Sequence, residues 1–436
     1  MQSVVELLLL LLVFLDSANL SDYLMQNPLA FLGEASAEQR RTLLAAGLGW
    51  MLDAFDVMLY SLVVTHIMRD LHIGKQGAGL LNTLTLLASG IGGVFFGLVA
   101  DRIGRTRALM LSILTYSVCS FASGLATSIL VLAIIRFILG LGMGGEWNTG
   151  ATLVAESWPS GLRARAIAMV QSSWAIGYAL AALIAGIMLP RVGWRYVFFV
   201  GVLPALVTLW IRKDVAEPGI WQRARASQSD VSSAGFVELF GSKYIRRTLV
   251  LLTMNLFGLF AWWGLFTWIP PYLSLPISQG GRGFGVLSTT ALLLFLNLAG
   301  MFPGYLSFGW VADRLGRRRS FMLYTIAAAV LVPAYAAARS QWSLLLLGAV
   351  VAFFGTGFFS ASGVIGSELF PTSVRARALG LTYNGARALS SVAPWTIGRF
   401  GQQHGLDSAF YLCALAFLLA GLTAIFIPET RGVELA

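Results

Sequence analysis

Five ionisable side chains stand inside stretches of the sequence that are otherwise apolar. They are two guanidinium groups and three carboxyl groups: Arg136, Arg387, Asp53, Asp56 and Glu146. An ionised side chain is costly to bury in hydrocarbon, so such residues usually belong to a site that handles ions or protons. If all are ionised, three negative and two positive charges leave a surplus of one negative charge, which one proton balances. The set can exchange protons and bind small ions, and it has neither the nucleophile–base pair nor the metal-ligand spacing of an enzyme.

The spacing of the first-half charges predicts a pairing. Asp53 and Asp56 are three residues apart and share one helix face with Tyr60. The helix carrying Arg136 runs in the opposite direction, and a rise of about 1.5 Å per residue places Arg136 near the depth of Asp56. We expect Arg136 to pair with Asp53 or Asp56, which leaves another carboxyl group, among them that of Glu146, to exchange a proton. The alternative is a static buried salt bridge that fixes helix packing.

Arg387 lies near the middle of a later apolar stretch, with Asn384 and Ser391 on the same helix face. No acidic residue stands in the middle of any apolar stretch of the second half of the sequence. A guanidinium group binds a carboxylate with two parallel hydrogen bonds. We expect Arg387 to bind an anion; the alternative is that it pairs with one of the three acids of the first half.

Aromatic and amide side chains complete a predicted pocket. Gln171, Trp174 and Tyr178 share one helix face, and Asn255 and Trp262 share a face of another helix. Small-molecule sites generally combine apolar walls with a few placed polar groups. These five residues are therefore predicted to line the site that Arg387 serves.

The composition indicates that the elements carrying these residues are surrounded by lipid and not by water. Apolar residues make up 57% of the chain and charged residues 11%, against about 45–50% and about 25% in soluble domains. Apolar runs of about 18 residues or more, long enough to cross a bilayer, recur along the sequence. The net charge of +10 comes from Lys and Arg concentrated in the termini and even-numbered loops, which indicates cytoplasmic termini and argues against nucleic-acid binding.

Hydropathy and Gly, Pro and charge punctuation predict twelve spans in two sets of six. The first set is at about 42–66, 77–100, 108–127, 129–153, 166–189 and 194–212. The second is at about 247–274, 285–312, 320–338, 342–366, 376–400 and 406–428. The predicted organisation is an N-terminal segment (1–41, interfacial or created by an upstream start), a first bundle (42–212), a cytoplasmic linker with a short amphipathic helix (213–246), a second bundle (247–429) and a tail (430–436).

Two charged motifs recur in the two sets with one offset of 212 residues. The segment 97–105, GLVADRIGR, matches 309–317, GWVADRLGR. The segment 156–165, ESWPSGLRAR, matches 368–377, ELFPTSVRAR. A shared register predicts two parallel six-helix repeats, with a transport path at their interface.

These motifs resemble those of the major facilitator superfamily over residues 42–432. The paired Glu and Arg of the second motif and the segment 428–432, PETRG, are similar to the branch of sugar porters and organic-acid:proton symporters. The segment 50–56, WMLDAFD, most resembles sialate and monocarboxylate permeases, then aromatic-acid:proton symporters. The hexose motif of the seventh span is replaced by FAWWG at 260–264. The resemblance implies an all-α protein with twelve transmembrane helices in two six-helix bundles, acting as a monomer in the cell inner membrane.

The loop motifs supply carboxylates and guanidinium groups that can pair across helix ends. We expect them to hold the two bundles together in the outward-facing state and to separate as the bundles rock, although they can also serve as topological anchors. The residues of this predicted gate are Asp101, Arg102, Arg105, Glu156, Arg163, Asp313, Arg314, Arg317, Glu368 and Arg375.

Two other patterns favour packing over chemistry. The glycine-rich run 140–145 follows no strand, so it indicates close helix packing and not a dinucleotide-binding loop. Cys119 and Cys413 both fall in apolar runs and offer no disulfide framework.

The predicted function is uptake of a small organic anion, a monocarboxylate or sialate-like acid, with a proton by alternating access. The partners expected are the acid, the proton and the lipid bilayer; the proton gradient drives transport and no cofactor is expected. The alternatives are a proton-coupled antiporter that exports organic cations or drugs, and a transporter-like sensor.

Overall fold

The computed structural model describes residue 33 and residues 35–217 and 236–431, and within them every regular element is a helix. The first half contains α1 (Ala37–Asp70), α2 (Lys75–Ile103), α3 (Arg105–Gly124), α4 (Ile129–Ser157), α5 (Ser160–Val192) and α6 (Trp194–Phe199 and Pro204–Asp214). The second contains α7 (Ile245–Ser274), α8 (Val286–Phe295 and Phe302–Leu315, joined by π-helical Leu296–Met301), α9 (Arg317–Ala337), α10 (Gln341–Gly357 and Phe359–Leu369), α11 (Thr372–Ser390 and Ala393–His404) and α12 (Leu406–Thr423). The predicted all-α class is confirmed.

Local sequence explains where these helices begin and end. Ser36 caps α1 with a capping box, because its hydroxyl accepts from Gln39 and the Gln39 side chain accepts from the Ser36 backbone. Gly104 and Gly316 separate α2 from α3 and α8 from α9 at φ values of 111° and 93°. Only glycine adopts such values without strain, which explains the glycine near the end of the repeated motif.

Ten of the helices in the described residues are long and apolar enough to cross a membrane. The two others are α3 and α11. Helix α3 begins at Arg105 and buries four serines, and α11 contains Arg387 and is interrupted at Ser391. Both pack among the apolar helices, α3 against α4 and α11 against α2 and α7. That all twelve helices cross the bilayer stays a prediction.

The predicted segment 1–41 and linker 213–246 fall mostly outside the described residues. Helix α1 takes up residues 37–41, and a 3₁₀ helix, Phe236–Phe240, precedes α7. The predicted amphipathic helix lies outside the residues that the structure describes.

The helices form two bundles that meet along three helix pairs. In the first half α1 packs on α5 and α2 on α4, and in the second half α9 and α7 pack on α12 and α8 on α10. The halves contact each other through α2 with α11, α5 with α8, and α1 with α7. The helices that carry the buried charges therefore include those at the interface.

The glycine run of α4 is a helix-packing surface, as predicted. A β-carbon at Gly140 or Gly144 would overlap backbone oxygens of α2, and one at Gly142 would lie 2.9 Å from the Tyr116 backbone nitrogen in α3. Backbones can approach this closely only where side chains are absent.

Polar contacts join the two halves at one end of the molecule. At the end opposite the charged motifs, Lys75 Nζ donates to the Gln279 carbonyl at 2.6 Å and to the Gly401 carbonyl at 3.2 Å. The Gln76 backbone N–H donates to Gln402 Oε1 at 3.1 Å. We call this contact the Lys75 bridge and the other end the motif end.

Candidate functional site

One buried group of charges spans the interface between the halves. Asp53 of α1, Glu146 of α4 and Arg387 of α11 are 1%, 1% and 3% exposed. The Arg387 charge acts on both acids, and Asp53 acts on Glu146. We call these residues the Arg387 cluster. Within the described residues Arg387 lies near first-half acids without an ion pair to them, so anion binding and pairing across the interface both stay predictions.

Several polar atoms of the Arg387 cluster have no hydrogen-bond partner among the described residues. They are both carboxyl oxygens of Glu146, one oxygen of Asp53, and Nε and Nη2 of Arg387. Unpaired buried charges are costly, so they are neutralised by protons or matched by counter-charges. The cluster can therefore take up a proton on a carboxyl group and an anion on the guanidinium group.

A second buried group lies around Arg136, which is 0% exposed. Its guanidinium carbon is 4.7 Å from the Tyr60 ring centroid, and its charge acts on Asp56. Ser120 Oγ donates to Asp56 Oδ1 at 3.0 Å. The three Arg136 guanidinium nitrogens have no hydrogen-bond partner in the part of the chain that the structure describes. We call Asp56, Tyr60, Ser120 and Arg136 the Arg136 cluster.

The two clusters divide the acids of α1. Asp56 neighbours Arg136 and Asp53 neighbours Arg387, and the charge of Asp53 also acts on Asp56. A proton bound at one acid therefore changes the electrostatic environment of the other. This coupling connects the two clusters along a single helix.

Five tryptophans from both halves pack together beside the Arg387 cluster. The ring centroids of Trp50 and Trp147 are 4.6 Å apart, those of Trp50 and Trp174 4.7 Å, and those of Trp174 and Trp262 5.8 Å. Trp263 lies 4.8 Å from Trp262. These five tryptophans, which we call the tryptophan cluster, come from α1, α4, α5 and α7. Together with the neighbouring side chains described below they form the wall of the site.

Polar atoms of the wall can bind a ligand. Nε1 of Trp50, Nε1 of Trp174 and Oε1 of Gln171 are buried without a hydrogen-bond partner within residues 35–217 and 236–431. Trp262 Nε1 donates to Thr356 Oγ1 at 3.2 Å. Aromatic faces with a few placed donors and acceptors suit a flat molecule that carries polar groups.

The wall repeats in the two halves with the offset of the charged motifs. Two tryptophans and one glutamine of this region have aromatic counterparts 212 residues later. The pairs are Trp50 and Trp262, Trp147 and Phe359, and Gln171 and Tyr383. The ring centroids of Phe359 and Trp262 are 5.5 Å apart, and Tyr383 lies one helical turn before Arg387 on α11.

The charges do not repeat in this way. Each charged residue of the Arg387 cluster has an apolar residue at the equivalent position of the other half. These pairs are Asp53 and Leu265, Glu146 and Phe358, and Arg387 and Ala175. The acids therefore belong to the first half and the base to the second, so the cluster forms only where the two halves meet.

Four other predicted pocket residues are placed differently. Tyr178 donates to a backbone carbonyl of α7 at 3.4 Å, and Asn255 donates to one of α11 at 3.4 Å. Ser391 donates within its own helix at 2.6 Å, and Asn384 is half-buried. Tyr178 and Asn255 thus join helices, and Trp174, Trp262 and Gln171 are the predicted residues that form the wall.

Sequence reasoning missed four residues of the site: Trp50, Trp147, Phe359 and Tyr383. The 212-residue offset was an available signal for two of them, because it relates Trp50 to Trp262 and Tyr383 to Gln171. Trp147 and Phe359 are related only to each other.

The predicted gate residues form ion pairs within each half. Arg105 Nη2 lies 3.2 Å from Glu156, and Arg317 Nε lies 3.3 Å from Glu368. Asp313 also contacts Arg317, at 2.5 Å. The equivalent pairs in the two halves confirm that the repeat extends to side-chain contacts at the motif end.

The remaining gate residues are at the same end. Arg163 donates to the Trp158 carbonyl at 3.4 Å, Arg314 lies over the Trp310 ring, and Arg102 is exposed. The side chains of Asp101 and Arg375 lie outside what the structure describes.

A bundle of apolar helices around a buried charged site at the interface of two repeats defines a multi-pass membrane transporter. The chain belongs to the Major Facilitator Superfamily, whose family model matches residues 46–304 and 281–435. The resemblance stated from the motifs is thereby confirmed, and the protein is not an enzyme.

Curated relatives and solved structures match over nearly the whole chain. A probable 4-methylmuconolactone transporter of Cupriavidus pinatubonensis is 34% identical, over 92% of this chain and 93% of the relative. The sialic acid transporter NanX of Escherichia coli is 32% identical, over 92% of this chain and 97% of the relative. The cis,cis-muconate transport protein of Acinetobacter baylyi is 31% identical, over 89% of this chain and 94% of the relative. A crystal structure of a D-xylose–proton symporter aligns with a TM-score of 0.74 at 19% identity, over 92% of this chain and 100% of that one.

Proposed function

We propose that the protein carries a small organic carboxylate together with a proton into the cell across the inner membrane, by alternating access. The observation that carries this proposal is the Arg387 cluster, a buried guanidinium group that faces two buried carboxyl groups beside an aromatic wall. The names of the relatives, which include transporters of muconate and sialic acid, support an organic acid as the substrate.

Arg387 is the proposed carboxylate-binding residue. A guanidinium group offers two parallel N–H donors that match a carboxylate, and Nε and Nη2 of Arg387 have no other partner in the described residues. The tryptophan cluster would contact the apolar body of the acid, with Gln171 and Trp174 binding its polar groups. A flat or unsaturated acid fits such walls best, since it can lie against several rings.

The two acids of the Arg387 cluster explain how a proton would be coupled to the substrate. If both are ionised, an incoming carboxylate meets two negative charges beside Arg387. Protonation of Asp53 or Glu146 removes one of these charges and favours anion binding. Coupling between two sites is reciprocal, so the bound anion favours the proton equally. The Arg136 cluster, with Asp56, offers a further carboxyl group on the proposed proton path.

The contacts at the two ends support alternating access. The Lys75 bridge joins the halves at the end opposite the motifs, while the pairs of Arg105 with Glu156 and of Arg317 with Glu368 each lie within one half. The side opposite the motifs is thus held closed, and we infer that the buried site opens toward the motif end, which we take to be cytoplasmic. In the outward-facing state, the gate residues would instead hold the motif ends together.

The test is uptake of radiolabelled carboxylates by proteoliposomes, with and without an inward proton gradient. A panel of muconate, nicotinate, benzoate, lactate and sialate spans flat, short and sugar-like acids. We expect gradient-dependent uptake of a flat acid and its loss in Arg387→Ala. Arg399→Ala, on the exposed side of the same helix, is the matched control. Proton-driven movement of an organic cation, with no uptake of any acid, would overturn the proposal in favour of antiport.

A further inference from the structure

A cavity of about 420 Å³ opens at the motif end of the second half, away from the Arg387 cluster. Arg246 and Arg247 of α7 and Arg318 of α9 line it together with apolar residues. No acidic residue is among its lining residues in the described part of the chain. The cavity therefore combines three positive charges with an apolar floor.

The cavity lies where helices end, at the level expected for lipid headgroups. It is formed by the beginnings of α7 and α9 and the ends of α10 and α12. Phe426, on its rim, is 62% exposed. Such a large apolar side chain at the end of a membrane helix faces lipid more readily than water.

Two of the three guanidinium groups are held in place by helix ends. Arg247 Nη1 donates to the Leu369 carbonyl at the end of α10 at 2.9 Å, and Arg318 Nη1 donates to the Ile427 carbonyl at 3.4 Å. A guanidinium group has five N–H donors, so each arginine keeps donors for a ligand. The neighbouring acids are engaged elsewhere, because Arg317 binds both Glu368 and Glu429.

The repeat shows that the fold itself does not require these arginines. The positions 212 residues earlier are Glu34, Ala35 and Thr106 in the sequence. Basic residues are expected on the cytoplasmic side in general, but that tendency does not by itself place three of them around one cavity. These arginines are therefore not part of the repeated motif.

An apolar groove of about 470 Å³ lies farther along the same side of α7. Phe257 lines the groove and Val250 lines the cavity. Seven residues are about two helical turns, so these side chains lie on one face about 10 Å apart. Leu415 and Leu419 of α12 form the opposite wall. The distance and direction suit an acyl chain that descends from a headgroup in the cavity.

We propose that the cavity of Arg246, Arg247 and Arg318 binds the phosphate of an anionic phospholipid, with an acyl chain in the apolar groove along α7. The phosphate accepts hydrogen bonds from the guanidinium groups, and a net negative headgroup is preferred because the cavity has no acid to balance three arginines. A zwitterionic phospholipid places a cation in the same basic environment and binds less well.

The test is native mass spectrometry of the purified full-length protein with phosphatidylglycerol or phosphatidylcholine of the same acyl chains. The cavity variant is Arg246→Gln with Arg318→Gln. Its control is Lys243→Gln with Arg319→Gln, which removes the same charge from exposed positions at the same end. We expect phosphatidylglycerol to bind at least about tenfold more weakly to the cavity variant, since each basic residue near an anionic lipid contributes about a factor of five. The control should change binding less than about twofold.

Two further arms separate the possible outcomes. The single variant Arg246→Gln, at an exposed position, guards against misfolding of the double variant and should retain part of the effect. Inorganic phosphate is added as a competitor. Equal losses of lipid binding in the cavity and control variants would overturn the proposal in favour of a general attraction between basic residues and anionic lipid. Complete displacement of the lipid by millimolar phosphate would overturn it in favour of a site for a free anion.

Discussion

Gly49 of α1 lies directly against the carboxyl group of Glu146 in α4. A β-carbon at position 49 would overlap Oε1 of Glu146 and lie 3.2 Å from its carboxyl carbon. The backbone carbonyl of Gly49 also accepts from Tyr116 at 3.5 Å. Because Gly49 has no side chain, the carboxyl group of Glu146, one of the two acids beside Arg387, can occupy this position.

Substitution Gly49→Ala should displace Glu146 and reduce proton-driven uptake by about tenfold or more, because small misplacements of reacting groups are costly. Gly47→Ala is the matched control, since a β-carbon at Gly47 meets no atom within 4 Å. Initial uptake rates in proteoliposomes check this. Equal rates in the two variants would mean that the position of Glu146 does not matter for coupling.

Substitution Glu146→Gln should separate exchange from accumulation. The amide imitates the protonated acid, so the substrate still binds at Arg387, but no proton can be released. We expect exchange of labelled for unlabelled substrate to continue while gradient-driven accumulation is lost. Asp53→Asn is measured in parallel, and the acid whose amide gives this pattern is the one that carries the proton. Full accumulation in both variants would contradict coupling through the Arg387 cluster.

Substitution Arg387→Lys keeps the positive charge and removes the two-pronged donor geometry. A hydrogen bond to a charged group contributes about 1.5–3 kcal/mol, and about 1.4 kcal/mol corresponds to tenfold in affinity. We expect the KM for the carboxylate to rise about tenfold or more. Arg399→Lys, elsewhere on α11, should leave the KM unchanged. An unchanged KM in Arg387→Lys would show that the guanidinium group does not bind the carboxylate.

Substrate binding should quench the fluorescence of the tryptophan cluster. Trp174 contacts Trp50, Trp262 and Trp263, so Trp174→Leu should remove much of the quenching and weaken binding by about two- to tenfold, the range of an aromatic contact. Trp342→Leu is the control, because Trp342 is 76% exposed. If both variants titrate like the unmodified protein, the wall is not the binding surface.

Substitution Lys75→Gln should weaken the contact that joins the halves opposite the motif end. Spin labels attached through Ile73→Cys and His404→Cys, in a protein without its own cysteines, report the separation of the halves there. We expect a larger share of long distances in the Lys75→Gln background than in Arg69→Gln, an exposed control on α1. Identical distance distributions would show that the Lys75 bridge does not influence this equilibrium.

Much of the fold followed from the sequence because hydrophobic length and loop charge specify where helices begin and end. Helix positions, the repeat and the buried charges were predicted in this way. The partners of the charges were not, because spacing along one helix gives depth and face but not the rotation of helices from different halves. Arg387 has no acid at mid-span in its own half, and the packing of α11 on α2 places it near Asp53 and Glu146.

The wall was predictable in part. Trp174, Trp262 and Gln171 were identified by their helical spacing, whereas Trp50 required comparison of the two repeats. Trp147 is recognised only from its ring contact with Trp50. Asn255 and Tyr178 have the right types and faces, but their polar atoms bind backbone carbonyls of neighbouring helices. A sequence cannot distinguish these uses, since both need a buried polar group on the same face.

The Lys75 bridge also bears on how the protein tolerates mutation. Both acceptors of the Lys75 ammonium group are main-chain carbonyls, those of Gln279 and Gly401. Exchanging the side chain at position 279 leaves its acceptor in place, provided the loop keeps its path. The donor is specified by a single codon, while the residue at position 279 can change during evolution without removing its acceptor.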